Sequence, residues 1–169
     1  MTEKEQKQIF NEWLHNYTGV AFKIVRVYAI TPMDRDDLFQ EINIQLWHSI
    51  PAFRNASAVS TWVYRVALNT AIKWVTKERK HNQSESLDNE KQVLYENNTG
   101  TDDRLAWLYE EIYKLEKTDR SIALLLLDNF SYKEMAAIIG ISESNIGVRI
   151  NRIKKHLITK SIKNEHHGI

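Results

Sequence analysis

Asn151 and Arg152 stand side by side, preceded by Arg149 and followed by Lys154 and Lys155. An amide and a guanidinium can pair bidentately with base edges in a DNA major groove, whereas ammonium groups are better suited to phosphates. From Ser144 to Asn164 the chain carries Arg149, Arg152, Lys154, Lys155, Lys160 and Lys163 and no acid. Phosphate attraction needs such a local basic field. The formal net charge of +1 hides it, because the charge is segregated: 11 Lys/Arg against 8 Asp/Glu in residues 1–80, 4 against 9 in 81–117, and 8 against 5 in 118–169.

A second group runs from Phe53 to Asn69, Phe-Arg-Asn-Ala-Ser-Ala-Val-Ser-Thr-Trp-Val-Tyr-Arg-Val-Ala-Leu-Asn, where aromatics interleave with basic and amide side chains. Unstacked bases need π-faces to stack on, an amide to read a base edge and cations along the backbone, and Lys73, Lys77, Arg79 and Lys80 prolong the positive strip. Aromatics at this density are equally ordinary core residues. A third group is acidic: at helical spacing Leu38, Phe39, Ile42 and Leu46 face a core and leave Asp37, Gln40, Glu41, Ile44, Trp47 and His48 outward. Acids beside an exposed isoleucine and tryptophan suit an interface with a basic protein partner; the plainer alternative is a solvated face with one tryptophan packed on a neighbouring helix.

Other chemistry finds little support. The chain has no cysteine, so disulfides, thiolate metal sites and thiol nucleophiles are excluded. His15, His48 and His81 lie in different segments and His166 and His167 in a polar tail, with no ligand or nucleophile spacing among them. No metal, cofactor, small-molecule substrate or catalytic residue is implied. No window approaches the roughly 18 to 20 apolar residues of a membrane span, and the charged N-terminus has no apolar stretch behind it. A cytoplasmic protein is expected.

The elements that must position these residues are helices, since apolar residues recur at three and four and only five glycines and two prolines interrupt them. Ile9 to Ala29 reads as one or two amphipathic helices, broken near Thr18-Gly19 and ended at Ile30-Thr31-Pro32. Asp34 is expected to cap a helix from Arg35 to Ser49, with a turn at Pro51, a loop from Ala52 to Ser57 and a longer helix from Ala58 to Arg79, making four helices in this unit. A stretch rich in Asn, Gln, Ser, Glu and Asp follows. Beyond it come a helix from Asp103 to Glu116, one capped by Asp119 and ending at Leu127, and a pair, Ser131 to Ile139 and Ser142 to Ser161. The fold class is all-α: two small helical domains, residues 1–80 and 103–163, joined by a flexible acidic and polar linker, 81–102, with 164–169 as a tail.

The second domain ends in a helix-turn-helix. Small Ala136 falls where two helices must approach closely, Gly140 where a tight turn needs a positive φ, and Ser142 where the next helix needs a cap. Ile146, Ile150, Ile153 and Leu157 form one apolar stripe, which puts Ser144, Val148, Asn151, Arg152 and Lys155 on the opposite face, with Arg149 flanking. A solvated amphipathic helix in an αα-hairpin is the bland alternative.

Asp36-Asp37-Leu38-Phe39-Gln40-Glu41, then Leu46-Trp47, Phe53-Arg54, Thr61-Trp62-Val63-Tyr64-Arg65-Val66-Ala67-Leu68-Asn69, a polar linker and the helix-turn-helix resemble, in order and spacing, the extracytoplasmic-function (ECF) sigma factors of bacterial RNA polymerase. The resemblance covers nearly the whole chain. It implies a sigma region 2 followed by a region 4, and no enzyme: a factor that binds core RNA polymerase and directs initiation at promoter DNA. It further implies that Asp37, Gln40 and Glu41 bind the clamp helices of the largest polymerase subunit, supported by Ile44 and Trp47. Phe53 and its loop would pocket a flipped base of the melted minus-ten strand and Asn69 would read it, supported by Trp62, Tyr64 and Arg65, with Lys73 and Lys77 on the backbone. Ser144, Val148, Arg149, Asn151, Arg152 and Lys155 would face the minus-thirty-five duplex, and an anti-sigma factor would mask one or both units. Where many relatives have Gly-Thr-Val-Arg-Ser-Arg, this chain has Ser144-Asn145-Ile146-Gly147-Val148-Arg149, one basic residue fewer and a glycine inside the helix. A stand-alone helix-turn-helix regulator that never joins polymerase is the alternative function.

Overall fold

The computed structural model describes residues 1–84 and 103–166, which divide between two compact units, 1–102 and 103–169. Residues 85–102, most of the stretch read as a linker, and the last residues of the tail lie outside this description. Among the described residues every regular element is a helix, and no helix is long and apolar enough to cross a membrane.

In the first unit α1 (Glu3–Tyr28), α2 (Pro32–Ser49) and α3 (Val59–Ser84) pack on one another, with a short 3-10 turn, Ile50–Ala52, after α2. Three helices and this turn stand where four helices were expected. The expected break at Thr18-Gly19 does not occur, because α1 is continuous: the Thr18 hydroxyl donates to the Leu14 carbonyl and Gly19 is exposed in open space. Helical glycine costs up to about 1 kcal/mol relative to alanine, and the packing of a long amphipathic helix outweighs that. The helix also starts earlier than its first apolar residues suggest. Thr2 accepts the Glu5 N–H at 3.3 Å while the Glu5 carboxylate accepts the Thr2 N–H at 2.6 Å, a reciprocal cap.

At the start of α2 the cap is Thr31, not Asp34: with Pro32 in the first helical position, the Asp34 N–H donates to the Thr31 hydroxyl at 3.1 Å. Leu38, Ile42 and Leu46 are buried at spacings of four where α2 packs on α1 and α3, as are Ile24, Val25 and Val27 of α1 and Val63, Ala67, Leu68 and Ala71 of α3. Fully buried Ala67 and Ala71 let the helices approach closely. Phe39, expected in the core, is half-buried and stacks on exposed Phe22 with ring centroids 4.9 Å apart. The third helix runs through Ser84, past the expected end at Arg79.

The second unit contains α4 (Asp103–Tyr113), α5 (Lys117–Leu127), α6 (Tyr132–Ile139) and α7 (Glu143–His166). Packed by α4, α6 and α7, α5 is buried continuously from Asp119 to Leu125. Its N-cap is Glu116; Asp119, expected there, lies one turn inside with its carboxylate drawn away by side chains of α7. Ser131 caps α6 through a reciprocal pair with Glu134, and Gly140 ends it at φ 84°, its N–H donating to the Ala136 carbonyl at 2.8 Å. Ser142 then accepts the Asn145 N–H at 3.1 Å and starts α7.

Two glycines separate local preference from necessity. Gly19→Ala should stabilise the protein by about 0.5–1 kcal/mol, since a methyl there meets no atom. Gly140→Ala should destabilise it by about 1–2 kcal/mol, since a Cβ is strained in the left-handed region. Denaturant unfolding of both variants checks the opposite signs; equal effects would contradict this account.

Candidate nucleic-acid interface

The rotational setting of α7 decides which side chains reach solvent. Ile146, Ile150 and Ile153 are buried against α5 and α6, and Met135 and Ile138 of α6 are buried with them. That turns Ser144, Val148, Asn151, Arg152 and Lys155 outward; all five are exposed, Val148 to 66%. Ala136 is half-buried in α6. Gly147 lies under the Tyr132 ring, where an added Cβ would make an ordinary contact at 3.5 Å.

Arg149 takes a different position from the rest. Its guanidinium is turned back onto α5, donating to Asp119 Oδ1 at 2.8 Å and to Glu116 Oε2 at 3.3 Å, with the side chain 26% exposed. The Asp119 hydrogen bond, more than burial opposes, holds its pKa above the ordinary arginine value. Arg152 reaches the same carboxylate through one nitrogen, 3.0 Å from Asp119 Oδ2, and stays 63% exposed. These acids are not evident from the sequence: a cap accounts for Asp119 locally, and no residue near it points to arginines some thirty positions on.

In the first unit, Trp62, Val66, Asn69, Lys73 and Lys77 follow one another along one side of α3 at spacings of three and four, and Asn69, Lys73 and Lys77 are exposed. A groove of 640 Å³ runs between this side and α2. Asn69, Lys73 and Lys77 line it from α3, and Asp37 and Glu41 from α2. Gln40 and Ile44 are exposed on α2, Ile44 to 48%. Trp47 is only half-exposed: its ring meets Phe10 of α1 edge-on with centroids 5.4 Å apart, and its carbonyl accepts the Gln6 amide at 2.8 Å.

Phe53 is wedged between Trp13 of α1 and Trp62 of α3, both ring pairs 5.5 Å between centroids. The Trp62 indole donates to the Ser49 hydroxyl at 3.1 Å, and Ser49 in turn to the Leu46 carbonyl at 2.8 Å. These contacts pin the loop at its entry while Arg54, Asn55 and Ala56 remain exposed, Asn55 at φ 56° in a region asparagine tolerates. Arg65 is half-buried, and Tyr64 is buried on the inner side of α3, away from the row that ends at Lys77. The contribution of α1 is not evident from the sequence, since Trp13 and Phe10 lie far along the chain from Phe53 and Trp47 and nothing local links them.

The chain combines a three-helix unit with a mixed-charge groove and a separate helix-turn-helix unit with a polar outward face, the architecture of a helical DNA-binding protein. The family models for sigma-70 region 2 and sigma-70 region 4 match residues 13–81 and 105–157. RNA polymerase sigma factor YlaC of Bacillus subtilis is 29% identical over 76% of this chain and 80% of its own length. The ECF RNA polymerase sigma-E factor of Haemophilus influenzae is 26% identical over 94% of this chain and 90% of its own. Among solved structures, sigma factor RpoE of Bartonella quintana, in complex with the anti-sigma factor NepR, superposes with a TM-score of 0.73 at 20% identity, covering 89% of this chain and 94% of that one. CnrH, in complex with the cytosolic domain of CnrY, superposes at 0.66 and 20% identity over 93% and 90%. The chain belongs to the sigma-70 family, as an ECF sigma factor directing promoter-specific transcription.

The cap that starts the helix-turn-helix carries a pH signature. Glu134 is held below its ordinary 4.5 by the hydrogen bond from the Ser131 backbone and then by the Ser131 hydroxyl. A depressed carboxyl contributes stability that is present above its unfolded value and lost as pH falls through the folded one. Ser131→Ala keeps the backbone N–H and removes the hydroxyl, so it should move the Glu134 titration, followed by NMR, part of the way back up and weaken the acid-side pH dependence of unfolding modestly; an unchanged titration would contradict the share assigned to the hydroxyl.

Proposed function

We propose that this sigma factor divides promoter recognition between its units and is held to the promoter by core polymerase. The outer side of α2, with Asp37, Gln40 and Glu41 supported by Ile44 and the exposed part of Trp47, docks on the clamp helices of the largest subunit. Phe53 and its loop take a flipped base of the melted minus-ten strand and Asn69 reads it; Trp62, Tyr64 and Arg65 hold the site from behind, and Lys73 and Lys77 follow the backbone. In the second unit Ser144, Val148, Asn151, Arg152 and Lys155 face the minus-thirty-five duplex. No catalytic step is assigned to the chain; polymerase supplies the chemistry, and both act in the cytoplasm.

The observation that carries this reading is the groove between α2 and α3, with Asp37 and Glu41 on one wall and Asn69, Lys73 and Lys77 on the other. A regulator that used only its helix-turn-helix would have no use for such a groove. Strand capture favours melting because stacking and flipped-base contacts exist only with the open strand, each worth about 1–3 kcal/mol. On the duplex, a mismatched base pair costs a similar amount, about 1–3 kcal/mol. Two contacts of this size act together once polymerase tethers both, since the second forms at high effective concentration. An anti-sigma factor that masks either surface would silence both, in keeping with the NepR complex of the Bartonella quintana factor.

Core polymerase loaded with this chain should yield discrete promoter-specific transcripts from a genomic template. Asp37→Lys with Glu41→Lys should abolish co-purification with core enzyme and lower those transcripts by at least about 100-fold, as reversal of paired interface charges typically costs several kcal/mol. Retained binding and transcription would reject the α2 assignment, and the absence of specific transcripts from the unaltered chain would reject the function.

A further inference from the structure

The Asp119 carboxylate of α5 engages two arginines of α7, one through each oxygen: Oδ1 accepts from Arg149 at 2.8 Å and Oδ2 from Arg152 at 3.0 Å. It is itself buried, one turn inside α5, where the helix N-terminus favours a negative charge. The two arginines fare differently. Arg149 is tied by Asp119 and Glu116 and is three-quarters covered, whereas Arg152 is held by one nitrogen and keeps most of its surface in solvent. One arginine is neutralised in place; the other is held at one nitrogen and otherwise open to solvent.

We infer that Asp119 is a positioning residue for duplex readout: it holds Arg152 in a bound-like orientation and, with Glu116, withdraws Arg149 from the phosphates. This rests on the assignment of α7 to the minus-thirty-five duplex. A free arginine spreads over many rotamers and loses that freedom when it settles on a base edge, so an arginine already tethered at one end discriminates at lower entropic cost. The same acids lower the positive field of the surface, which trims attraction to every sequence alike. Asp119 thus trades general affinity for selectivity. A carboxylate that merely fastened α7 to α5 would affect all sequences equally.

The test uses reconstituted holoenzyme and a promoter library with a fixed minus-ten element and randomised bases across the minus-thirty-five position, sequenced before and after selection. The unaltered factor should enrich a motif, and Arg152→Ala should flatten it at particular bases. Asp119→Asn should flatten the same bases, lowering discrimination there by about tenfold, the scale of one bidentate contact, while total library binding holds or rises and its salt dependence steepens by about one counterion. Glu116→Gln should steepen the salt dependence and leave the motif intact.

An Asp119→Asn motif identical to the unaltered one, or a uniform loss of binding at every sequence, would overturn the inference. If the unaltered factor enriches no motif, the assignment of α7 fails and the inference with it; if it enriches one that Arg152→Ala leaves intact, the role of Arg152 fails while α7 stands. Should Asp119→Asn not fold, NMR of the unaltered chain decides. Slowed rotation of the Arg152 guanidinium about its Cζ–Nε bond is expected, and free rotation overturns the inference.

Discussion

Burial of three isoleucines on α7 is the constraint on which the second unit depends. Ile146, Ile150 and Ile153 can all leave water only in one rotational setting of the helix, because their spacing of four and three draws a single stripe along it. Burying each is worth about 1.5–3 kcal/mol, so a rotation that exposed them would cost more than any surface contact could return. The outward face is thereby determined by what the inward face requires. Gly140, with its left-handed backbone, and the Ser131 and Ser142 caps set where α6 stops and α7 starts, which fixes the register of that face along the helix axis.

The first unit obeys the same logic with a different result. Leu38, Ile42 and Leu46 commit one side of α2 to the core, and Val63, Ala67, Ala71 and Val75 commit one side of α3. The sides left over meet across a groove, so acids of one helix and cations of the other share a cleft that neither helix could form alone. Phe53, held between Trp13 and Trp62, ties the loop between α2 and α3 to this scaffold, so its exposed residues are presented from a fixed base.

The parts legible in the sequence are those that depend on short-range periodicity. The helix-turn-helix, its glycine and its outward face follow from spacings within some twenty residues, and the structure repeats them; so does the inward side of α2 apart from Phe39. Local preference misleads where packing outweighs it. Gly19 reads as a break and lies inside a continuous helix, and Asp34 and Asp119 read as caps although Thr31 and Glu116 hold those places. Contacts between residues far apart in sequence were not legible at all. Nothing near Asp119 announces Arg149 and Arg152 some thirty residues on, and nothing near Phe53 announces Trp13.

The central claim is that two modest DNA contacts become a promoter reader only on polymerase. Chemical probing of one promoter fragment tests it most directly, with hydroxyl-radical protection reporting the upstream duplex and permanganate reactivity reporting unpaired thymines downstream. The account predicts weak or no protection from the chain alone, and upstream protection together with permanganate-reactive minus-ten thymines when core enzyme is added. Full upstream protection by the chain alone, unchanged by core enzyme and with no reactive thymines, would contradict it.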